Sequence, residues 1–124
     1  MIGVVAIARS TFDVPLAEAV HAAARASLGE LGVEVAGPPV LVYAPEDLAA
    51  VEAALRAQPL DRLLVLQVTF ADAGMLLALA DAVPAPIVLW GFPEERWGGR
   101  PRLNSLCGIN LAAHALGRAG RAFS

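Results

Sequence analysis

Four short apolar, β-prone runs, separated by stretches with helical spacing, constrain this chain more than any other feature. The runs are Ile2–Ala8, Val33–Ala36, Arg62–Val68 and Ile87–Trp90. Ile2–Ala8 is apolar without alternation, the pattern of a strand covered on both faces. After it, Asp13 suits a helix N-cap, with Pro15 and Glu18 in the first turn. Leu16, Val20, Ala23, Ala24, Ser27 and Leu31 then recur at spacings of three and four, and Gly32 closes the helix. The second β-run, Val33–Ala36, can resume at Val40–Val42 after Gly37-Pro38-Pro39.

Pro45 fits the first position of the next helix, with Glu46 and Asp47 at its positive end and Leu48, Val51 and Leu55 as its apolar stripe. Gln58-Pro59 stops it. Asp72 caps a helix over Ala73–Ala82, and Pro84-Ala85-Pro86 is a stiff link into Ile87–Trp90. Gly91–Arg102 reads as a loop. Asn104 or Ser105 opens a last helix to about Leu116, closed by Gly117 or Gly120. Strands alternating with helices call for a parallel sheet with right-handed crossovers. The expected fold is therefore a three-layer α/β/α domain spanning residues 1–124. Its sheet is a four-stranded parallel one of flavodoxin/Rossmann-like type, in strand order 2-1-3-4, with the switch point between the first and third strands.

That order decides where function lies. In an open α/β sheet, ligands bind outside the carboxyl ends of the strands. The residues that follow the strands here are polar or aromatic: Arg9-Ser10-Thr11-Phe12-Asp13, Thr69-Phe70-Ala71-Asp72 and, beyond the loop, Asn104-Ser105-Leu106-Cys107-Gly108-Ile109-Asn110. The switch point makes the first two junctions neighbours. Arg9 can aim a guanidinium fork at a hydroxyl, carboxylate or phosphate, or else pair with Asp13. Asp13 reads first as a helix cap. Phe70 is either core or an aromatic wall for a ligand. The first turn of the last helix offers free amides. It also holds Cys107, which reads as a small buried hydrophobe before it reads as an activated thiol. His21 and His114 fall inside helices as surface or packed residues.

Other functions are excluded or weakened. The chain has 124 residues, 57% of them apolar and 17% charged, with net charge −3 and arginine as its only strong base. It lacks the basic, aromatic-interleaved surface of a nucleic-acid binder. Gln67, Asp72, Asp81, Pro84 and Pro86 break its longest apolar stretch, so no membrane span is expected. Met1-Ile2-Gly3-Val4-Val5 has no basic segment ahead of the apolar run and is not a secretory signal. One cysteine excludes an internal disulfide, which fits a cytoplasmic location. Neither G-x-G-x-x-G nor G-x-x-x-x-G-K follows a strand, so the phosphate cradles of nucleotide binders are missing. With no lysine, a receiver-like signalling site cannot be completed.

Three segments carry a family resemblance over nearly the whole chain. They are Gly3-Val4-Val5-Ala6-Ile7-Ala8-Arg9-Ser10-Thr11-Phe12-Asp13, Leu66-Gln67-Val68-Thr69-Phe70-Ala71-Asp72 and Asn104-Ser105-Leu106-Cys107-Gly108-Ile109-Asn110-Leu111-Ala112-Ala113-His114. With them the chain resembles the N-terminal domain of the L-fucose/L-arabinose isomerase family, especially its fucose-isomerase-like subgroup. The resemblance implies aldose–ketose isomerisation of a sugar, with Mn2+ expected in a full-length parent enzyme. It also implies that the metal ligands lie in later domains, so that no catalytic residue, metal ligand or cofactor is expected in this chain. Arg9 and Phe70 match a sugar-contacting arginine and a pocket-lining aromatic residue. Asn104, Cys107 and Asn110 are carried over as substrate contacts. Arabinose isomerases have a substrate-contacting histidine where this chain has Ser105-Leu106-Cys107-Gly108, which argues against arabinose. The expected role is substrate recognition and subunit packing. Its partners would be the sugar and the remaining domains or neighbouring subunits of a homo-oligomer, with no nucleic acid and no membrane. A free-standing binding module for a sugar or anion, or an excised or designed fold fragment, is the alternative.

Overall fold

The structure, a computed structural model, describes all 124 residues. The elements are β1 (Ile2–Ile7), α1 (Val14–Glu30), β2 (Val35–Ala36), β3 (Leu41–Val42), α2 (Leu48–Arg56), β4 (Arg62–Gln67), α3 (Gly74–Ala82), β5 (Ile87–Gly91) and α4 (Ser105–Arg118). Pro45 opens a 3-10 turn, Pro45–Asp47, that feeds α2, rather than α2 itself.

Every strand pairing is parallel. β1 pairs along its whole length with β4, from Ile2↔Arg62 to Ile7↔Gln67, and β5 lies outside β4. On its other side β1 meets β2 at Ile2↔Val35 and Gly3↔Ala36, then β3 at Ala6↔Leu41 and Ile7↔Val42. The sheet is therefore five-stranded, in the order β2-β1-β4-β5 with β3 also beside β1. The parallel sheet is as expected, but it has five strands instead of four, and the order 2-1-3-4 holds only when β2 and β3 are counted together as the second strand. The segment expected to act as one second strand is two short ones. Between them stand Gly37, at φ 102°, and two prolines that have no N–H to give a ladder. At the far edge Phe123 bridges to Ile87, and the Leu89 N–H donates to the Ser124 carbonyl at 2.8 Å.

The two faces of the sheet are covered unequally. Val5, Ile7, Leu63, Val65 and Ile87 pack under α2, α3 and α4. Val4, Ala6, Leu64 and Leu66 pack under α1 alone. On that side β5 is only half covered, and Trp90 stacks its ring on Phe92 at 5.5 Å. Burial on both faces is why β1 and β4 read as unbroken apolar runs.

The buried face of α1 differs from the expected stripe. Ala17, His21, Ala24 and Leu28 face the sheet, while Ala23 and Ser27 are exposed and Leu31 is 77% exposed. A stripe sought among apolar residues steps over His21, which is 3% exposed, and so lands one residue off. Leu31 lies past the last helical turn. There Gly32, at φ 68°, turns the chain back so that the Val33 N–H reaches the Leu28 carbonyl at 3.0 Å.

Candidate functional site

Three turns converge at the carboxyl edge of the sheet: residues 9–13 after β1, residues 69–72 after β4, and residues 102–105 leading into α4. Backbone hydrogen bonds join them. The Phe70 N–H donates to the Leu103 carbonyl at 2.8 Å, and the Asp13 N–H donates to the Arg102 carbonyl at 3.1 Å. The Arg9 N–H donates to the Thr69 hydroxyl oxygen at 2.7 Å. The rings of Phe12 and Phe70 meet with centroids 6.4 Å apart and a 55° tilt. Arg9 and Phe70 therefore belong to one mouth, as the switch-point topology requires. Arg9 is exposed, and no carboxylate holds its guanidinium. Phe70 is half-buried, with its ring against Phe12.

Asp13 does not pair with Arg9. Its carboxylate accepts from the Leu16 N–H at 3.0 Å, capping α1, and from Arg102 Nε at 2.9 Å, with Arg102 Nη2 at 2.8 Å. The Leu16 amide first, and then Arg102, hold its carboxyl below the usual carboxylate range. Asp72 accepts from the Gly74 N–H at 2.9 Å, at the start of α3.

The third turn departs most from sequence expectation. Asn104 occupies the N-cap position of α4 but sits in the left-handed region at φ 52°, and its side chain makes no capping bond. The turn leading into the helix is held by Glu94, which no local sequence pattern singles out. The Glu94 carboxylate accepts from the backbone N–H groups of Arg102, Leu103 and Asn104, each at 2.8 Å. Burial pushes its carboxyl up, but the three amides and Arg102 outweigh that and leave it below its ordinary value. Ser105, fully buried, turns its hydroxyl inward. The hydroxyl accepts from the Phe92 N–H at 2.8 Å and donates to the Gln67 carbonyl. The buried Gln67 side chain in turn donates to the Thr69 carbonyl at 2.9 Å. Spacing along the chain carries no sign of contacts that cross from a loop to a strand end.

Cys107 and Asn110 lie exposed on α4, as does His114, and neither forms a hydrogen bond with the turns after β1 and β4. Cys107 is exposed, against the expectation that it packs as a small buried hydrophobe. The residue of that turn that meets the sheet is Gly108, where an added Cβ would lie 2.9 Å from Gln67 Cγ and 3.1 Å from the Thr69 carbonyl oxygen. His21 is buried in α1, and its Nε2 has no partner.

The rim gathers polar and aromatic groups, and its carboxylates are engaged within the fold. It presents a guanidinium free of carboxylates, two aromatic rings, hydroxyls and a helix start. Its carboxylates are already engaged, Asp13 by Leu16 and Arg102, Glu94 by three amides, and Asp72 by Gly74. None is free to carry a proton between substrate atoms. No group of three or more His, Cys, Asp or Glu side chains is placed to hold a metal ion, so the residues present do not fit one. A cavity of about 370 Å³ at the opposite edge, between the ends of α2 and α3, has only Arg56 and Asp81 as charged groups and none of the rim's aromatic residues.

Residues 3–124 match the family model described as the N-terminal domain of fucose/sulfoquinovose isomerase. The chain belongs to this family. The family likeness noted in the sequence thus extends over nearly the whole length of the chain. Sulfoquinovose isomerases from Priestia aryabhattai and Priestia megaterium are each 31% identical to the chain over 112 residues. One from Alkalicoccus urumqiensis is 33% identical over 110 residues. These matches take in 89–90% of the chain but only 24–25% of each relative. The chain therefore spans about a quarter of the length of the curated relatives it matches. No helix is long and apolar enough to cross a membrane.

Proposed function

We propose that this chain is the substrate-recognition and subunit-packing domain of an aldose–ketose isomerase, and that its sugar is a sulfonated hexose of the sulfoquinovose type. The observation that carries the reading is the meeting of Arg9 and Phe70 at one mouth, in a chain of this family. The aromatic pair suits the apolar face of a sugar ring, and the guanidinium suits its oxygens. Asn104 flanks the same mouth from the third turn, with Cys107 and Asn110 one step further along α4. A divalent metal, Mn2+ by family resemblance, and the carboxylates that move the proton would come from other domains or subunits. The chain alone would bind sugar without turning it over.

Titration of the chain with a panel of aldoses, read by NMR at Arg9 and Phe70, tests this. Sulfoquinovose should shift both residues, and the chain alone should show no Mn2+-dependent isomerisation. Light scattering on the same samples should give a dimer or larger species. Turnover by the isolated chain, or shifts at neither residue with any sugar, would end the proposal. A strict monomer at high concentration would remove the subunit-packing half of it.

A further inference from the structure

Beside the mouth lies a second hollow of about 290 Å³, lined by Thr11, Phe12, Asp13, Arg100, Pro101 and Arg102. Its size is near the lower end for small-molecule sites, suited to one end of a sugar rather than the whole. Phe12 joins the two spaces, since its ring lines this hollow and also meets Phe70. A ligand on the aromatic pair can therefore reach into it.

The charges in the hollow are not equivalent. Asp13 is compensated by the Leu16 amide and by Arg102. Arg102 is used up by Asp13 and by Glu95 at 3.3 Å. Glu94 and Glu95 line a separate hollow with Leu16 and Val20, on the other side of Arg102. Arg100 alone among the lining charges has no ion-pair partner. The lining's own charges sum to plus one, but Glu95 on Arg102 offsets that, so Arg100 is set apart by being unpaired and not by a net positive field.

The Arg100 side chain is exposed and makes no hydrogen bond or ion pair, and its backbone is shaped by its neighbours. Gly98 and Gly99, at φ 78° and 87°, turn the chain just before it. Pro101 stiffens the step after it, and Arg102 and Leu103 are fixed by Glu94. Building on the function proposed above, we propose that Arg100, with the Thr11 hydroxyl, binds the sulfonate of the sugar. The loop between β5 and α4 then selects sulfonated over uncharged hexoses. A sulfonate offers three acceptor oxygens, and guanidinium donors together with a hydroxyl match them.

The test is an NMR titration of the chain with sulfoquinovose, with glucose as the uncharged hexose and with methanesulfonate as the bare anion. Sulfoquinovose should shift Thr11, Phe12 and Arg100 together with Arg9 and Phe70. Glucose should leave Arg100 unmoved. Arg100→Ala should weaken sulfoquinovose about fivefold, the effect of one partly exposed charge pair, and leave glucose unchanged. Arg100→Lys should recover part of the loss. Arg96→Ala, at an exposed arginine outside the hollow, should change neither. Equal losses in the Arg96 and Arg100 variants would mean diffuse attraction only and overturn the proposal. So would methanesulfonate shifts that avoid Thr11 and Arg100 while sulfoquinovose still moves Arg9 and Phe70, an outcome that leaves the proposed function standing. Absence of any sugar shift anywhere overturns both.

Discussion

Ser105→Ala should be among the most costly single-atom deletions in this chain. The side chain is fully buried, and its hydroxyl links the end of β4 to the residue just after β5. Removing it deprives the Gln67 carbonyl, in a residue 2% exposed, and the half-buried Phe92 N–H of a shared partner. A buried carbonyl left without its bond costs about 1–3 kcal/mol, and an amide that water can partly reach costs about 0.5. Together these give about 1.5–3.5 kcal/mol, a large share of the roughly 6–18 kcal/mol expected for a domain of this length. The unfolding entropy for such a length is about 0.26 kcal/mol/K, so the loss lowers Tm by about 6–13 °C. Urea and thermal melts followed by circular dichroism measure it, and amide exchange at Phe92 should accelerate in parallel. His114→Ala, on the exposed face of the same helix, is the control and should stay within about 0.5 kcal/mol. A Ser105→Ala variant within 0.5 kcal/mol of the parent, with Phe92 still protected, would falsify the bridging role.

His21 should give the chain an acid-sensitive limb. Burial first, then Arg25, lowers its pKa below 6.5, against the smaller opposing effect of Glu18. The unfolded chain then binds the proton at higher pH than the folded one. Stability is complete above pH 6.5 and falls as the pH drops from there toward the folded value. Tm measured from pH 7.5 to 5 should decline, and His21→Leu should flatten that part of the decline; an unchanged slope would count against it. Gly108→Ala should destabilise by about 1 kcal/mol, because overpacking of about 1–3 kcal/mol exceeds the helix-propensity gain of about 1 kcal/mol. It should also shift the Phe70 resonances, since the added Cβ presses on the Thr69 carbonyl. Stabilisation, as at an exposed helical glycine, would show that α4 does not sit tightly on the end of β4.

Much of the rim was legible because topology alone brings it together. Once β1 and β4 are neighbours, the residues after them must meet, and Arg9, Phe12, Thr69 and Phe70 do. The cap on α1 was legible as well, because Asp13 to Leu16 is a local contact with a known spacing. What stayed hidden crosses long gaps in sequence. Arg102 reaches Asp13 over 89 positions, and Ser105 reaches the Gln67 carbonyl over 38. Glu94 caps amides eight to ten residues downstream, through a loop whose path no periodicity dictates. Asn104 departs from expectation for a conformational reason: an N-cap that bonds the N2 or N3 amide needs an extended backbone, whereas Asn104 sits in the left-handed region while Glu94 holds its own N–H. His21 misled in another way, since a polar residue on a buried face interrupts an apolar stripe without moving the helix.

The rim thus has two kinds of wall. The turns after β1 and β4 issue directly from paired strands, and backbone ladder bonds set their spacing, with the Arg9 N–H on the Thr69 hydroxyl between them. The third wall adds side chains to its two backbone bonds, Phe70 N–H to Leu103 and Asp13 N–H to Arg102: Glu94 gathers the amides of residues 102–104, Arg102 grips Asp13, and Ser105 pins the helix start. Substitution at Glu94 or Arg102 therefore loosens that wall first and reaches Asp13 and Phe70 through those backbone bonds. Arg100 lies on the same wall.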